Sequence, residues 1–243
     1  KHLLICISAN SGIGFELAAQ LLADPSNIVL LCSRSVEKGE AAVKDLESRS
    51  LPGSVELLQL DVSEEESINL AVKEVERRHG RLDALVNNAG IPSPRGVTLL
   101  QALQTAFQVN ASGPAAMVEA FAPLLKKSTG TPRIVNVTSG AGSITLRLDA
   151  TTPTYSQKTV PYRASKSALN MITACQSVEY GPLGWKVFLY CPGFTQSNLS
   201  SLNKAENGAK PTSEGARPIV AILRGDRDAE HGGYLKDKGQ WPW

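Results

Sequence analysis

The sequence is poor in the residues from which metal sites and disulfide frameworks are made. Among 243 residues there are four cysteines and three histidines. Cys6, Cys32, Cys175 and Cys191 are far apart and show no C-x-x-C spacing. Three of them fall in or beside apolar runs, where a thiol behaves as a small hydrophobe. His2, His79 and His231 are equally scattered, so no metal site is expected, and the reading is a reducing, cytoplasmic compartment. No apolar run approaches the roughly 20 residues that a membrane helix needs, and no secretory signal is visible, so no membrane partner is expected. Charge of one sign is also lacking. Lys and Arg number 25 against 23 Asp and Glu, a net of +2 with both signs interspersed. Without a basic stripe, nucleic acid is not an expected partner either. No internal repeat or linker divides the chain. Residues 1–243 read as one domain, long enough to bury roughly 70 to 75% of the unfolded surface, with a small molecule as the expected partner.

What the sequence does have is a regular alternation of short apolar runs and helical patterns. Leu3-Leu4-Ile5-Cys6-Ile7 suits a strand buried on both faces. It runs through the small residues Ser8, Ala9, Asn10, Ser11, Gly12, Ile13 and Gly14 into a helical pattern at Leu17, Ala18, Leu21 and Leu22. Such a turn lets helix N-terminal N–H groups approach a pyrophosphate, although a tight turn that binds nothing is the plain alternative. A second strand, 28–32, ends at Ser33-Arg34. Where an acid would select NAD, Arg34 would accommodate a 2′-phosphate, which favours NADP(H). A helix over 36–48 and a strand over 55–60 follow, then Asp61-Val62. Ser63 and Glu66 have the spacing of a capping box for a helix ending at His79. Asp61, at a strand's carboxyl end, is placed either for an adenine amine or as a simple cap.

The strand 82–86 delivers Asn87-Asn88-Ala89-Gly90, and the strand 133–137 delivers Thr138-Ser139-Gly140. Between them a long helix reaching to Leu125 carries Asn110, a residue that competes for backbone bonds and so requires a reason. A strand over 186–190 ends in Cys191-Pro192-Gly193-Phe194-Thr195-Gln196-Ser197, and the polar stretch 199–215 reads as a lid with partial helix. A helix over 216–223, a short strand over 233–235 and the tail Trp241-Pro242-Trp243 complete the chain. The pattern predicts an α/β fold with a doubly wound parallel sheet and a ligand at the strands' carboxyl ends.

The last chemical signal is Tyr162-Arg163-Ala164-Ser165-Lys166, preceded by Pro161. Proline suits a helix's first turn, which puts Tyr162 and Lys166 on one face. A phenol has a reference pKa of about 10, and an adjacent ammonium should lower it and let the pair pass a proton. Tyr155 is a rival, but Lys158 lies three residues on and Thr159 occupies the place four on.

Taken in order, the glycine turn, Asn-Asn-Ala-Gly, the serine after the fifth strand, Tyr-x-x-x-Lys and Pro-Gly after the sixth resemble the short-chain dehydrogenase/reductase family over essentially the whole chain. Within it, the NADPH-dependent carbonyl reductases are most similar. The resemblance implies a Rossmann fold and a tetrad of Asn110, Ser139, Tyr162 and Lys166. Tyr162 would exchange the proton with the carbonyl or alcohol oxygen, Ser139 would hold that oxygen, Lys166 would lower the Tyr pKa and bond the nicotinamide ribose, and Asn110 would hold a relay water. It further implies NADPH/NADP contacts from Ser8, Asn10, Ser11, Gly12, Ile13 and Gly14, from Ser33 and Arg34 at the 2′-phosphate, and from Asp61 and Val62 at adenine. Asn88, Ala89 and Gly90 would lie near the adenosine ribose, and Pro192, Gly193, Thr195 and Ser197 near the nicotinamide.

Two departures stand out. Ser8 replaces the usual first glycine of the turn, and Ser139 and Tyr162 are 23 positions apart, farther than in the shorter relatives. The extra residues, within 143–160, are expected to form a loop over the site rim. That loop bears on whether the chain is a dimer, a tetramer or a monomer. The implied activity is reversible reduction of a ketone or aldehyde. A catalytically silent cofactor sensor or scaffold, or an epimerase or dehydratase of the same fold, are the alternatives. Ile144, Phe194, Leu199, Trp241 and Trp243 are candidate apolar walls, with the tail equally suited to packing on a neighbouring subunit.

Overall fold

Successive residues of the first strand face opposite ways, and both sets are apolar. The computed structural model, which describes residues 2–6 and 9–243, shows why. Leu3 and Ile5 enter one buried cluster and Leu4 and Cys6 another, on the two faces of a single sheet. The strands are β1 (His2–Cys6), β2 (Asn27–Ser33), β3 (Ser54–Gln59), β4 (Ala84–Asn87), β5 (Arg133–Val137), β6 (Lys186–Tyr190) and β7 (Tyr234–Leu235). All pair in parallel, in the order β3-β2-β1-β4-β5-β6-β7. The order reverses between β1 and β4, so the crevice at their carboxyl ends is where a ligand is expected in such a sheet.

Helices cover both faces. They are α1 (Gly12–Leu21), α2 (Val36–Ser48), α3 (Glu65–His79), α4 (Leu99–Phe107), α5 (Gly113–Leu125), α6 (Ile144–Leu148), α7 (Val160–Tyr180) and α8 (Thr212–Arg224). Two starts differ from the sequence expectation. The Ser63 hydroxyl does not cap α3; it donates to Asp61 Oδ1 at 2.6 Å, and Ser63 N donates to the same oxygen at 3.0 Å. The aspartate's local turn outcompetes the capping box, because Asp61 Oδ1 is reached from only two residues away. The long helix expected through Asn110 is interrupted by a π-helical turn, Gln108–Ser112, between α4 and α5. No helix among the described residues is long and apolar enough to cross a membrane.

α7 is fastened to the sheet by neutral bonds. Asn136 on β5 donates to Thr173 Oγ1 and Gln176 Oε1 at 2.8 and 2.9 Å and accepts from Asn87 Nδ2 at 2.8 Å. The Gly142 carbonyl accepts from Ser167 Oγ at 2.7 Å and Asn170 Nδ2 at 3.2 Å. The contact is close because Gly142 has no side chain: a Cβ there would stand 2.8 Å from the Lys166 backbone. Gly142→Ala is expected to destabilise the fold by about 1 to 3 kcal/mol, lowering Tm by on the order of 5 °C in a calorimetric scan. An unchanged Tm would show that the helix has room to shift.

Candidate active site

Six strand ends and the start of α7 meet at the carboxyl edge. After β1, Ala9 N donates to the Cys32 carbonyl at 3.0 Å, which bends the turn toward β2. Asn10 and Ser11 lead into α1, with Ser11 extended at φ −166° as its N-cap. Gly12 follows at φ +61°, where a side chain would be strained, and the nearest atom to its absent Cβ is Ser197 Cβ at 3.8 Å. The glycine turn therefore approaches Ser197 in the loop after β6 with no side chain of its own at Gly12. Gly14 is buried and Ile13 packs against the core. Ser8 lies outside the described residues.

At the end of β2, Ser33 is buried with its hydroxyl on the Ser35 carbonyl at 2.8 Å, and Arg34 is exposed. Burial alone would raise the Asp61 carboxyl, but the Ser63 hydroxyl and N–H together with the Arg34 guanidinium outweigh it and hold the pKa below the usual value. Arg34 and Asp61 thus share one corner. Val62 turns into the core. After β4, Asn88 is half-buried, Ala89 is buried and Gly90 is exposed. The absent Cβ of Gly90 would lie 3.5 Å from Asn110 Oδ1 and 3.7 Å from Lys166 Nζ.

Asn110 sits in the π turn, fully buried. Its Oδ1 accepts from Ile91 N at 2.8 Å, and its Nδ2 donates to the Ile91 carbonyl and to Ser165 Oγ, both at 3.0 Å. The reason for an asparagine here is thus visible as a brace joining the β4 loop to α7. Turns of this kind recur at functional sites. The expected relay water is a separate matter from this brace.

α7 begins with Tyr162 N donating to Ser93 Oγ at 3.2 Å. Its first turns bring Tyr162 to the end of β5, where the Ser139 side chain lies near enough to act on its phenol. One turn on, Lys166 is buried and donates to the Val137 carbonyl at 2.9 Å. The electrostatics run opposite to the sequence expectation. Burial pushes the Tyr162 phenol up to about 12, only partly offset by the Ser139 side chain, and burial brings the Lys166 amine down to about 8. Tyr162 is therefore a neutral proton donor at pH 7.

Pro192 and Thr195 are buried in the β6 loop, and Gly193 turns at φ +74°. Thr195 Oγ1 donates to the Pro192 carbonyl at 3.0 Å, and Ser197 N to the Asn203 carbonyl at 3.1 Å. The stretch expected as a lid is held here by paired backbone at Thr195 and Lys210. The insertion forms α6 and a run of turns docked on α7, with Arg163 donating to the Thr154 carbonyl at 2.8 Å. The rival Tyr155 lies on that insertion against the Arg147 guanidinium, 5.5 Å from its ring centre.

The comparisons agree with this fold. The short chain dehydrogenase family model matches residues 2–208. Short-chain dehydrogenase anuI of Penicillium roqueforti is 41% identical over 243 residues, covering 98% of this chain and 94% of that one. The chain belongs to the short-chain dehydrogenase family. It is an oxidoreductase of that family, whose members bind a nicotinamide cofactor. The NADPH-bound carbonyl reductase from chicken fatty liver superposes on this short-chain dehydrogenase with a TM-score of 0.83 at 25% identity, covering 100% of this chain and 99% of the other. A Brucella melitensis 3-oxoacyl-[acyl-carrier protein] reductase in complex with NAD shares the fold at 19% identity and a TM-score of 0.82, covering 98% and 95%.

The site of this dehydrogenase fits such a cofactor on its own terms. The glycine turn leaves space at a helix N-terminus, and a buried amine stands beside Gly90. Sequence reasoning missed Tyr234, Cys191 and Ser93. Tyr234 donates to the Ser139 carbonyl, and Cys191 Sγ accepts from Gly140 N at 3.1 Å. Only Cys191 carried a signal, its place directly before Pro192-Gly193 at a strand end.

Proposed function

We propose that this short-chain dehydrogenase reduces a ketone or aldehyde carbonyl with NADPH, and catalyses the reverse oxidation when product accumulates. The observation that carries the reading is the Tyr162 phenol brought beside the Ser139 side chain, with the buried Lys166 amine one helical turn behind. A substrate oxygen between the phenol and the Ser139 hydroxyl would accept from both. Tyr162, neutral at pH 7, gives its proton to that oxygen as negative charge develops, and Ser139 holds the oxygen in place. Lys166 supplies a positive charge at the base of the crevice, and its partner Val137 keeps it aimed. Asn110 fixes the Gly90–Ile91 bend against α7. When bound, NADPH supplies the hydride.

The residues that would hold it are the turn from Ser8 to Gly14, Asp61, the segment from Asn88 to Gly90, Lys166, and the loop from Pro192 to Ser197. Arg34 would pair with the 2′-phosphate. Its exposed guanidinium already faces a neighbouring carboxylate at that corner, and nothing acidic stands at the end of β2 to receive a ribose hydroxyl instead.

The test is a fluorescence titration with NADPH and NADH, followed by a panel of carbonyls under NADPH. Turnover with NADPH supports the reading. Tight binding without turnover points to a sensor, and preference for NADH removes the role given to Arg34. Arg34→Ala is expected to weaken NADPH roughly 10- to 100-fold, the loss of one charge-assisted hydrogen bond, with NADH affinity unchanged. Equal losses for both cofactors would count against a 2′-phosphate contact.

A further inference from the structure

One peptide group next to Ser139 is held at both ends. Its carbonyl, Ser139 O, accepts from the Tyr234 phenol, which reaches it from 95 residues away, and from Gly142 N at 2.8 Å. Its N–H, on Gly140, donates to Cys191 Sγ at 3.1 Å. A planar peptide fixed on both sides cannot turn over, and its plane sets the direction in which the Ser139 side chain leaves the backbone.

Tyr234 is fully buried on β7, a strand of two residues, among Leu169, Leu189 and Cys191. Its phenol also meets the side chains of Asn170 and Thr138, themselves bonded to each other at 2.7 Å. Beyond β7, Trp241 N donates to the Tyr234 carbonyl at 2.7 Å. The Trp243 carbonyl accepts from Thr145 N at 3.0 Å and Ser143 Oγ at 3.2 Å. The aromatic segment thus packs on its own chain, along the back of residues 139–145.

We infer that Tyr234 is a positioning residue for the oxygen-holding Ser139, its phenol fixing the Ser139 peptide from behind. The inference rests on the reading of Ser139 and Tyr162 given above. A phenylalanine would keep the ring's packing and remove only the hydroxyl, leaving the peptide held by Gly142 N and Cys191 alone and so less tightly fixed. Misplacement of a catalytic group by about 1 Å is enough to cost on the order of a hundredfold in rate.

The test is a double-mutant cycle with an exchange measurement. Tyr234→Phe is expected to lower kcat roughly 10- to 100-fold with the NADPH KM unchanged, and to add less than about twofold in a Ser139→Ala background, because Tyr234 acts through Ser139. Hydrogen–deuterium exchange of the 139–142 amides should quicken in Tyr234→Phe, with the β2 amides unaffected. A loss multiplied in full onto Ser139→Ala, a wild-type kcat, or unaltered exchange at 139–142 each overturns the inference. If Tyr234→Phe does not fold, Cys191→Ala carries the test. It removes the sulfur that accepts from Gly140 N, and faster exchange at Gly140 supports the clamp while unaltered exchange overturns it. A wild-type protein that turns over no carbonyl fails the functional reading alone, and the exchange arm then decides whether the clamp exists.

Discussion

Tyr162→Phe is expected to lower kcat for carbonyl reduction by roughly a hundred- to ten-thousand-fold while NADPH affinity stays within about twofold of wild type. The substitution keeps the ring and removes one oxygen. On the proposed mechanism that oxygen is the proton source, and it lies beside the Ser139 side chain. Because burial holds the phenol up at about 12, the proton is in place throughout the neutral range and the loss should not depend on pH between 6 and 8. Folding should suffer little, since phenylalanine keeps the packing of the ring and a single polar contact is worth about 1 kcal/mol. Single-turnover absorbance at 340 nm with preloaded NADPH is the measurement. Wild-type turnover in Tyr162→Phe would mean that another group protonates the substrate, and the assignment of Tyr162 would have to be withdrawn.

Lys166→Met should abolish activity almost as completely and yet make the protein more stable at pH 7. The amine has an ordinary pKa of 10.5 and is brought down to about 8 by burial. Below pH 8 the folded chain must therefore carry a desolvated ammonium, at a cost of roughly 3 kcal/mol for a shift of this size. The unfolded chain binds more protons than the native one between about pH 8 and 10.5, so the wild-type protein gains stability from this group as pH rises through that window. Methionine removes the cost, and it also removes the bond to the Val137 carbonyl, worth about 1 kcal/mol. The variant should be more stable by roughly 2 kcal/mol at pH 7, with that advantage gone by about pH 10. Denaturant melts at the two pH values measure the change. A variant that is destabilised at both would show that the ammonium is well compensated where it lies. A trade of stability for a charged group at the reaction centre is a common arrangement in enzymes.

Much of this was legible in the sequence because it depends on local pattern. Alternating apolar runs gave the parallel sheet, since a strand buried on both faces has no polar face to display. Strand-end residues such as Ser139 and Gly90 could be placed because a doubly wound sheet gathers its carboxyl ends. Tyr162 and Lys166 could be paired because helical spacing fixes which residues share a face. What escaped was non-local or a matter of competition. The π turn at Asn110 adds an extra residue within an otherwise continuous apolar pattern, and its brace to Ile91 and Ser165 spans 19 and 55 residues. Ser63 had the spacing of a helix cap, but a carboxylate two residues away was the nearer acceptor. The direction of the Tyr162 shift depends on how much water reaches the phenol, which a four-residue spacing does not reveal. Tyr234 reaches Ser139 only through the pairing of β7 beside β6.

The way α7 is fastened has a consequence for the conditions in which the catalytic constellation survives. Asn136, Gly142 and Asn110 hold it through amides, hydroxyls and main-chain carbonyls, the buried Lys166 ammonium donates to the Val137 carbonyl and not to a carboxylate, and among the described residues no ion pair joins the helix to the sheet. Dissolved electrolyte weakens attraction between exposed charges and leaves buried dipoles largely untouched. Brine should therefore loosen peripheral contacts such as Arg77 with Glu74, while the phenol, the hydroxyl and the amine stay in register.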